Sequence, residues 1–453
     1  MPDPRRTRLT FAHALLPDGW ADDVAVEVEE GTIRAVAPGA AAGAAGIALP
    51  GVPNVHSHAF QRGMAGLTER RGPGTDSFWS WRTLMYAFLD RLDPDDVEAL
   101  AAQAYVEMLE AGFTAVGEFH YLHHAPDGAP YANLAEMAER IAAAAAATGI
   151  GLTLLPALYA HATFGGAPPE PGQRRFVNDA ARFGRLLEGA RGALRSLPDA
   201  TLGIAPHSLR AVTPDLLREA LAARPDGPVH IHAAEQVREV EDCVAWSGLR
   251  PVEWLLAHAG LDPRWCVIHA THMTPAETEG LARSGAVAGL CPLTEASLGD
   301  GIFNGPEFRA AGGRLALGTD SNIEITVAGE VKMLEYAQRL ARRARNALTL
   351  REGESTGRIL FEAAAAGGAQ ALGRPAAAIA PGARADILVL DKGRPELAAV
   401  QGDRWLDLFA FVLGGRVVDR VYAGGRLLVE GGRHRDREAV QARFARVFAR
   451  LAA

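Results

Sequence analysis

Cysteine, excess positive charge and long apolar runs are all scarce in this 453-residue chain. The three cysteines are an odd number without paired spacing, which excludes a disulfide framework and favours a reduced, cytoplasmic protein. The formal net charge of −8 argues against nucleic acid or an anionic membrane as the main partner. The start of the chain lacks the apolar core of a signal peptide, and no apolar run is long enough to span a bilayer. We therefore expect a cytoplasmic protein with neither nucleic acid nor a membrane as its partner.

The pattern of the chain changes twice along its length. Residues 8–48 alternate in the manner of short strands, and further strand patterns occupy 385–391 and 417–429. Because neither end supplies enough strands for a stable sheet, we predict one small β-sandwich domain built from residues 1–48 and 381–453, with a helix closing the chain.

Between these ends, residues 49–380 alternate short apolar runs with helical stretches. The runs number eight, near 50–56, 113–119, 150–157, 202–205, 229–232, 266–269, 287–291 and 315–320. Eight strand–helix units in succession predict an α/β fold of the (β/α)₈ TIM-like barrel type, with catalytic residues at the carboxyl ends of the strands. The alternative, a doubly wound open sheet, would usually show a glycine-rich phosphate turn after its first strand, and none is present.

Polar side chains follow these runs where such a barrel would place its active site. His56 and His58 are two residues apart at the end of the first run, so an extended strand aims both imidazoles to one side. The polar residues that follow later runs are Glu118, His120, His207, His232, His269 and Asp320. Imidazole suits zinc, iron or nickel better than magnesium or calcium, so a transition-metal site is expected.

These stretches carry a resemblance to the amidohydrolase superfamily. The matching segments are Pro50–His58 (PGVPNVHSH), His232–Glu235 (HAAE), His269, Gly318–Ser321 (GTDS) and Pro381–Val389 (PGARADILV). The resemblance implies a metal-dependent hydrolase with four metal ligands, His56, His58, His232 and Asp320.

The resemblance also bears on how many ions are bound. Binuclear members of the superfamily usually bridge two metals with a carboxylated lysine on strand three or four. The two lysines of this chain, Lys332 and Lys392, both lie beyond the eighth run. A glutamate or cysteine bridge stays open as an alternative, but we expect one divalent ion per chain, with zinc as the default and iron as the alternative.

The same resemblance implies catalytic roles. Three imidazoles and one carboxylate leave an open position, and zinc lowers the pKa of a water molecule there from about 16 to roughly 7. Glu235, three residues after a ligand, is expected to shuttle a proton to leaving ammonia. His269 is expected to polarise the substrate, and Asp320 to accept the proton of the water.

Further segments resemble the deiminating branch of the superfamily, which converts N-formimino-L-glutamate into N-formyl-L-glutamate and ammonia in histidine degradation. These segments are His58–Arg62, Phe78–Arg82, Gly117–His124 and Ala205–Arg210. A small dicarboxylate substrate requires cationic donors, preferably the planar fork of arginine. The expected substrate contacts are Gln61, Arg82, Tyr121, His207, Arg210 and His269.

Two alternatives stay open at this point. A guanine, cytosine or adenosine-analogue deaminase would use the same metal site with a different pocket. A non-catalytic assembly protein of the dihydropyrimidinase-like kind would normally have lost metal ligands, and none is lost in this sequence. The resemblance further implies a homodimer, and the long, irregular and aromatic segment 66–92 is the candidate subunit contact.

Overall fold

The computed structural model describes residues 6–72, 74–197 and 199–452. The strands in these ranges are β1 (Arg6–Leu16), β2 (Gly19–Glu29), β3 (Thr32–Ala37), β4 (Ile47–Pro50), β5 (Val52–Ser57), β6 (Phe113–His120), β7 (Gly151–Leu158), β8 (Thr201–Leu202), β9 (Ala205–Pro206), β10 (Val229–Ala233), β11 (Trp265–His269), β12 (Val287–Leu290), β13 (Arg314–Leu317), β14 (Ile387–Leu390), β15 (Val418–Ala423), β16 (Arg426–Glu430) and β17 (Arg433–His434).

The α-helices are α1 (Phe78–Leu89), α2 (Pro94–Glu110), α3 (Glu136–Thr148), α4 (Ala180–Ala193), α5 (Pro214–Ala223), α6 (Val237–Ser247), α7 (Pro251–His258), α8 (Pro275–Ser284), α9 (Pro292–Leu298), α10 (Gly305–Ala310), α11 (Val327–Arg342), α12 (Thr356–Ala371), α13 (Pro395–Ala398), α14 (Arg404–Leu408) and α15 (Arg437–Ala452). Short 3₁₀ turns occupy Ala59–Met64, Pro171–Gln173, Leu194–Ser196 and Gly414–Val417, and one π turn occupies Phe409–Leu413. Within the described ranges, no helix is both long and apolar enough to cross a membrane.

One eight-stranded sheet combines strands from both ends of the chain, in the order β17-β16-β15-β14-β4-β1-β2-β3. The predicted β-domain built from both chain ends is confirmed, but its strands form one continuous curled sheet and not the separate layers of a β-sandwich. The physical reason is β4, which pairs in parallel with β1 on one edge and antiparallel with β14 on the other, so the ladder runs on without a break. The curl brings β3 back to the segment before β14, where the Ile33 N–H donates to the Ala383 carbonyl at 2.8 Å.

The curled sheet encloses an apolar core of its own. Phe11, Val26, Ile33 and Val389 are fully buried in it, and Tyr422 packs edge-on against Phe11. Burial alternates over Leu9–Phe11 of β1 and over Val26–Val28 of β2, which accounts for the period-two pattern of the sequence there.

Two parallel sheets contain the eight apolar runs of the middle of the chain. Strands β5-β6-β7-β8 form one sheet, with β9 also paired to β7, and β10-β11-β12-β13 form the other. The predicted run at 202–205 is divided into β8 and β9, and at Gly203 between them an added Cβ would lie 2.5 Å from the Pro228 carbonyl oxygen. Residues of β6 and β7 are all buried, as expected of parallel strands covered on both faces.

Isolated bridges join the two parallel sheets at both of their outer edges. On one side Ile204 pairs in parallel with Val229, and on the other Ser57 pairs in parallel with Asp320. The Asp320 N–H also donates to the His56 carbonyl at 2.9 Å. The end of β5 is thereby held against the segment that follows β13.

The segment 66–92 differs from its expected irregular form. Helix α1 occupies most of its second half, and the N–H of Ser77, the residue before the helix, donates to Ser80 Oγ at 3.0 Å. The role of this segment as a subunit contact stays a prediction.

Candidate active site

Two histidines are fixed in one tautomer by carbonyl acceptors. His58 donates from Nδ1 to the Phe119 carbonyl at 2.8 Å, and His232 donates from Nδ1 to the His207 carbonyl at 2.9 Å. Since Nδ1 carries the proton in both neutral rings, both Nε2 atoms carry an unshared pair. This is the arrangement in which an imidazole can bind a metal ion through Nε2.

These nitrogen atoms converge with a third histidine on the carboxylate of Asp320. His56 Nε2 lies 3.1 Å from His232 Nε2 and 3.4 Å from Asp320 Oδ1, and His58 Nε2 lies 3.5 Å from the same oxygen. The Nε2 atoms of His58 and His232 and the carboxylate oxygens of Asp320 are all hydrogen-bond acceptors, so only His56 Nε2 could donate a proton within this group. Acceptor atoms therefore face one another at short range in a buried space. Acceptors packed in this way are stabilised by a cation, and the donor set of imidazoles and one carboxylate therefore fits a divalent metal ion.

The protonation states suit a cation as well. Burial lowers the pKa of His56 to about 3, and it lowers the pKa values of His58 and His232 below their usual range. Burial would raise the pKa of Asp320, but the neighbouring histidines, His56 first, hold it below its usual range. At neutral pH the rings are neutral and the carboxyl is ionised.

A second group of titratable residues lies beside the first. His269 ends β11, and its Nε2 stands 3.7 Å from Glu235 Oε1 and 3.8 Å from Asp320 Oδ2, while its Nδ1 lies 3.2 Å from Glu295 Oε1. Burial would lower the pKa of His269, but these three carboxylates raise it to about 10. Burial raises the pKa of Glu235 to about 7, although His269 and Arg210 act against the rise. A carboxyl that titrates near neutrality can both accept and release a proton.

A buried polar network holds the end of β5 in place. Asn54 Nδ2 donates to Thr319 Oγ1 at 2.7 Å, and that hydroxyl donates to Asn322 Oδ1 at 2.6 Å. Asn322 Nδ2 faces three oxygens, Ser57 Oγ at 3.1 Å, the His58 carbonyl at 3.2 Å and the Asp320 carbonyl at 3.0 Å. The network fixes the backbone on which the converging side chains stand.

Gly318 explains part of the Gly-Thr-Asp-Ser motif. A Cβ added there would lie 2.8 Å from the His56 Cβ and 2.9 Å from its backbone nitrogen. Only glycine lets the chain after β13 approach β5 this closely. The approach places Asp320 beside His56.

A pocket opens next to these residues, with about 560 Å³ of empty space including its mouth. Its lining contains every side chain expected to contact substrate, namely Gln61, Arg82, Tyr121, His207, Arg210 and His269. It also contains His58, His232, Glu235 and Asp320. His56 is fully buried and is not among the lining residues. The structure therefore brings all the predicted site residues together, whereas Glu118 and His120 are buried outside the lining.

Several lining residues were not anticipated from the sequence. Helix α1 contributes Phe78, Trp81, Met85 and Tyr86, and other parts of the chain add Tyr159, Phe176 and Leu298. The spacing of the α1 residues, together with Arg82, follows one face of a helix, which is the signal that could have revealed them.

Buried polar atoms in and beside the pocket still lack partners. Considering residues 6–72, 74–197 and 199–452, Arg210 Nε and Gln61 Oε1 form no hydrogen bond. Gln61 Nε2 donates to the Tyr121 hydroxyl at 3.0 Å, which fixes the amide. Unsatisfied buried groups of this kind are available to a polar ligand.

Glu239 is a further residue that sequence reasoning missed. It is buried on the first turn of α6, and its Oε2 accepts the Glu235 N–H at 3.0 Å. Its charge acts on Arg210, where burial would lower the pKa but Glu239 and then Glu235 raise it. Glu239 therefore supports both neighbours without lining the pocket.

Comparison with known proteins gives two family matches. A family model described as "Amidohydrolase family" matches residues 47–428, and one described as "Formimidoylglutamate deiminase HutF, N-terminal domain" matches residues 7–46. Formimidoylglutamate deiminase of Pseudomonas aeruginosa is 52% identical to this chain over 444 residues, covering 97% of this chain and 98% of the relative.

Solved structures are similar over the same length. An amidohydrolase from Brucella melitensis is 55% identical, with a TM-score of 0.95 and coverage of 98% of this chain and 100% of that one. An adenosine deaminase from Xanthomonas campestris with bound zinc shares the fold at 23% identity, with a TM-score of 0.81 and coverage of 98% of both chains.

We predict that Asn322→Gly destabilises the protein through loss of the buried network. Asn322 has a φ of 55°, which glycine adopts freely, so the substitution removes the amide without straining the backbone. The free energy of unfolding in urea should fall by about 2–4 kcal/mol, because buried partners lose their hydrogen bonds. Asn346→Gly is the matched control, since Asn346 is exposed and has a φ of 49°. Equal small losses in both variants would contradict the role of the network.

Proposed function

This chain belongs to the amidohydrolase family, and from that premise we propose its function. It is a metal-dependent hydrolase that converts N-formimino-L-glutamate into N-formyl-L-glutamate and ammonia, a step of histidine degradation. One observation carries the proposal: a single pocket contains the buried histidine–carboxylate cluster and also two arginines, Arg82 and Arg210. The cluster suits hydrolysis of the carbon–nitrogen bond, and the arginines suit the two carboxylates of this substrate.

We propose the finer architecture on the same basis. The two parallel sheets close into a (β/α)₈ barrel over residues 49–380, and the bridges from Ile204 to Val229 and from Ser57 to Asp320 support the closure. The second domain, residues 1–48 and 381–453, is built around the curled sheet, and residues 1–5 and 453 lie outside the described part of the chain.

One divalent ion, expected to be zinc, is held by His56, His58, His232 and Asp320. When bound, an ion of this kind lowers the pKa of a water molecule and polarises a carbon–nitrogen double bond. Another set of potential ligands consists of His269, Cys291 and Glu295, and the Glu295 carboxylate already contacts the other two residues. Glu295 Oε1 accepts the Cys291 N–H at 2.9 Å and lies 3.2 Å from His269 Nδ1.

Neither lysine lies where a bridge between two metals would need it. Lys332 is on α11, and Lys392 follows β14 in the curled sheet, where its ammonium contacts His13. This distribution supports a single ion.

The reaction adds water across the formimino group and removes ammonia. A carbon–oxygen bond forms at the formimino carbon, and the bond from that carbon to the terminal nitrogen breaks. Glu235 carries one proton from the attacking water to the leaving nitrogen, and Asp320 accepts the other proton and passes it to the same nitrogen, which leaves as ammonia. His269, whose pKa neighbouring carboxylates raise to about 10, donates a hydrogen bond toward the reacting centre.

The same metal site could serve a nucleobase deaminase, but a neutral base carries no carboxylate with which Arg82 and Arg210 could form ion pairs. A non-catalytic assembly protein is disfavoured because the ligand set is complete. An ammonia-release screen of formiminoglutamate against guanine, cytosine and adenosine tests these alternatives directly.

We also propose a cytoplasmic homodimer. The three cysteines are buried and unpaired, which suits a reducing compartment. Leu67 and Leu84 in the segment 66–92 expose 42% and 52% of their surface, which suits a contact with a second copy.

The first prediction concerns metal content. Active protein should contain one equivalent of a divalent metal per chain, and His232→Ala should lose it because one of four ligands is removed. Elemental analysis after dialysis gives the count. Two equivalents in active protein, with both ions bound among these side chains, would contradict the mononuclear proposal.

The next prediction concerns Glu235. Glu235→Gln keeps the size but cannot shuttle a proton, so turnover should fall roughly 10²-fold or more while metal content persists. In the native protein kcat/KM should rise with pH through about 7, because the free carboxylate is the form that accepts the first proton. Glu241→Gln, an exposed change on α6, the helix that follows Glu235, is the control. Near-normal turnover in Glu235→Gln would remove Glu235 from the mechanism.

Substrate specificity should depend on the two pocket arginines. Arg82→Met or Arg210→Met should lower kcat/KM for formiminoglutamate very roughly 10- to 100-fold, since charge-assisted hydrogen bonds contribute about 1.5–3 kcal/mol each. Metal content should not change. The preference of the native protein for formiminoglutamate over its amide should largely disappear in both variants but persist in Arg191→Met, whose guanidinium is an exposed partner of Glu188. Unchanged discrimination in both pocket variants would place the carboxylate site elsewhere.

A further inference from the structure

One indole ring beside the pocket mouth contacts three guanidinium groups. The Cζ atoms of Arg82, Arg238 and Arg210 lie 4.7, 4.8 and 5.9 Å from the centre of the Trp79 ring. Guanidinium groups within about 6 Å of an aromatic centre are attracted by the ring quadrupole. Trp79 therefore joins cations from three elements: α1, the segment after β9 and the first turn of α6.

The three cations are only partly neutralised. Arg238 Nε lies 3.7 Å from Asp242 Oδ2, with both side chains substantially exposed, and Arg210 Nη2 lies 3.9 Å from Glu235 Oε2. In the part of the chain that the structure describes, Arg82 forms no ion pair with a carboxylate. Gathered like charges repel, and an anion placed among them removes that cost.

Depth distinguishes the members of this cluster. Arg210 is buried and lines the pocket with Arg82, whereas Arg238 has a side chain that is 65% exposed and lies outside the lining. Trp79 is half-buried and is also absent from the lining. Arg238 is therefore the most exposed member and Arg210 the most buried, with Trp79 and Arg82 between them.

We propose that Trp79 is a positioning residue that holds Arg82 and Arg210 for carboxylate binding, and that Arg238 is a third cation at the rim that attracts the dicarboxylate. This extends the proposed function and rests on it, because a neutral substrate would gain nothing from a third guanidinium.

The variants Trp79→Leu and Arg238→Met test the two roles. Trp79→Leu should raise KM for formiminoglutamate about 10-fold while kcat changes less than about threefold, because the ring acts through the arginines and not on the reacting atoms. Arg238→Met should raise KM about threefold at low salt and flatten its salt dependence, since a rim charge acts through a screened field. Arg218→Met is the control, because Arg218 is an exposed helical arginine paired with Asp215 on α5.

A conservative variant separates positioning from a general structural effect. Trp79→Phe retains an aromatic face, so it should recover much of the KM lost in Trp79→Leu, whereas a purely structural role for the indole would give no such recovery. If Trp79→Leu does not fold, Trp79→Phe and Arg238→Met still decide the question through KM and its salt dependence.

Calorimetric binding of glutarate, a dicarboxylate that cannot be hydrolysed, distinguishes the failure of this inference from failure of the proposed function. Native protein that releases ammonia from formiminoglutamate, with native KM and native glutarate affinity in Trp79→Leu and Arg238→Met, would overturn the inference alone. Native protein that releases no ammonia, with glutarate binding that still weakens several-fold in both variants, would overturn the proposed function and leave the arginine cluster standing.

Discussion

The site depends on the close contact between β5 and the segment after β13. Asn54 and Thr319, which hydrogen-bond side chain to side chain in that contact, are 265 residues apart in sequence. The absence of a side chain at Gly318 permits the approach. The side-chain amide of Asn322 then contacts oxygens of both segments, those of Ser57 and His58 at the end of β5 and that of Asp320 after β13. Without this contact, His56 and His58 would have no carboxylate beside them, and the donor set for a metal would not exist.

Burial and charge divide the pocket into two chemically different ends. At the inner end, desolvation keeps the imidazoles of His56, His58 and His232 neutral, so acceptor atoms collect around Asp320. Toward the mouth, Arg82 and Arg210 present donors only. An amidine with two carboxylates matches this division, because the carbon that reacts and the carboxylates are separate parts of one small molecule. Glu235 stands between them, 3.7 Å from His269 and 3.9 Å from Arg210.

Period and spacing were enough to predict the eight parallel strands, most of the helices after them and the polar residues at their ends, because each of these features is local in sequence. The curled sheet was not predicted, since its continuity depends on β4, a four-residue strand with no period of its own. The lining face of α1 was missed because the segment 66–92 was predicted to be irregular. Glu239 and Asn322 act through partners that only the folded chain brings together, so their residue types alone carried no signal.

Burial also explains why the cations of the pocket are arginines and not lysines. Of the 46 lysines and arginines, only Lys332 and Lys392 are lysine. A lysine buried in place of Arg210 would lose its proton readily, because desolvation lowers the pKa of an ammonium group toward neutrality. Arginine keeps its charge there, forms a planar fork that fits a carboxylate, and stacks on an aromatic ring such as that of Trp79. A chain with a net charge of −8 can therefore hold a dianion only through local groups of this kind, and burial makes arginine the side chain that can supply them.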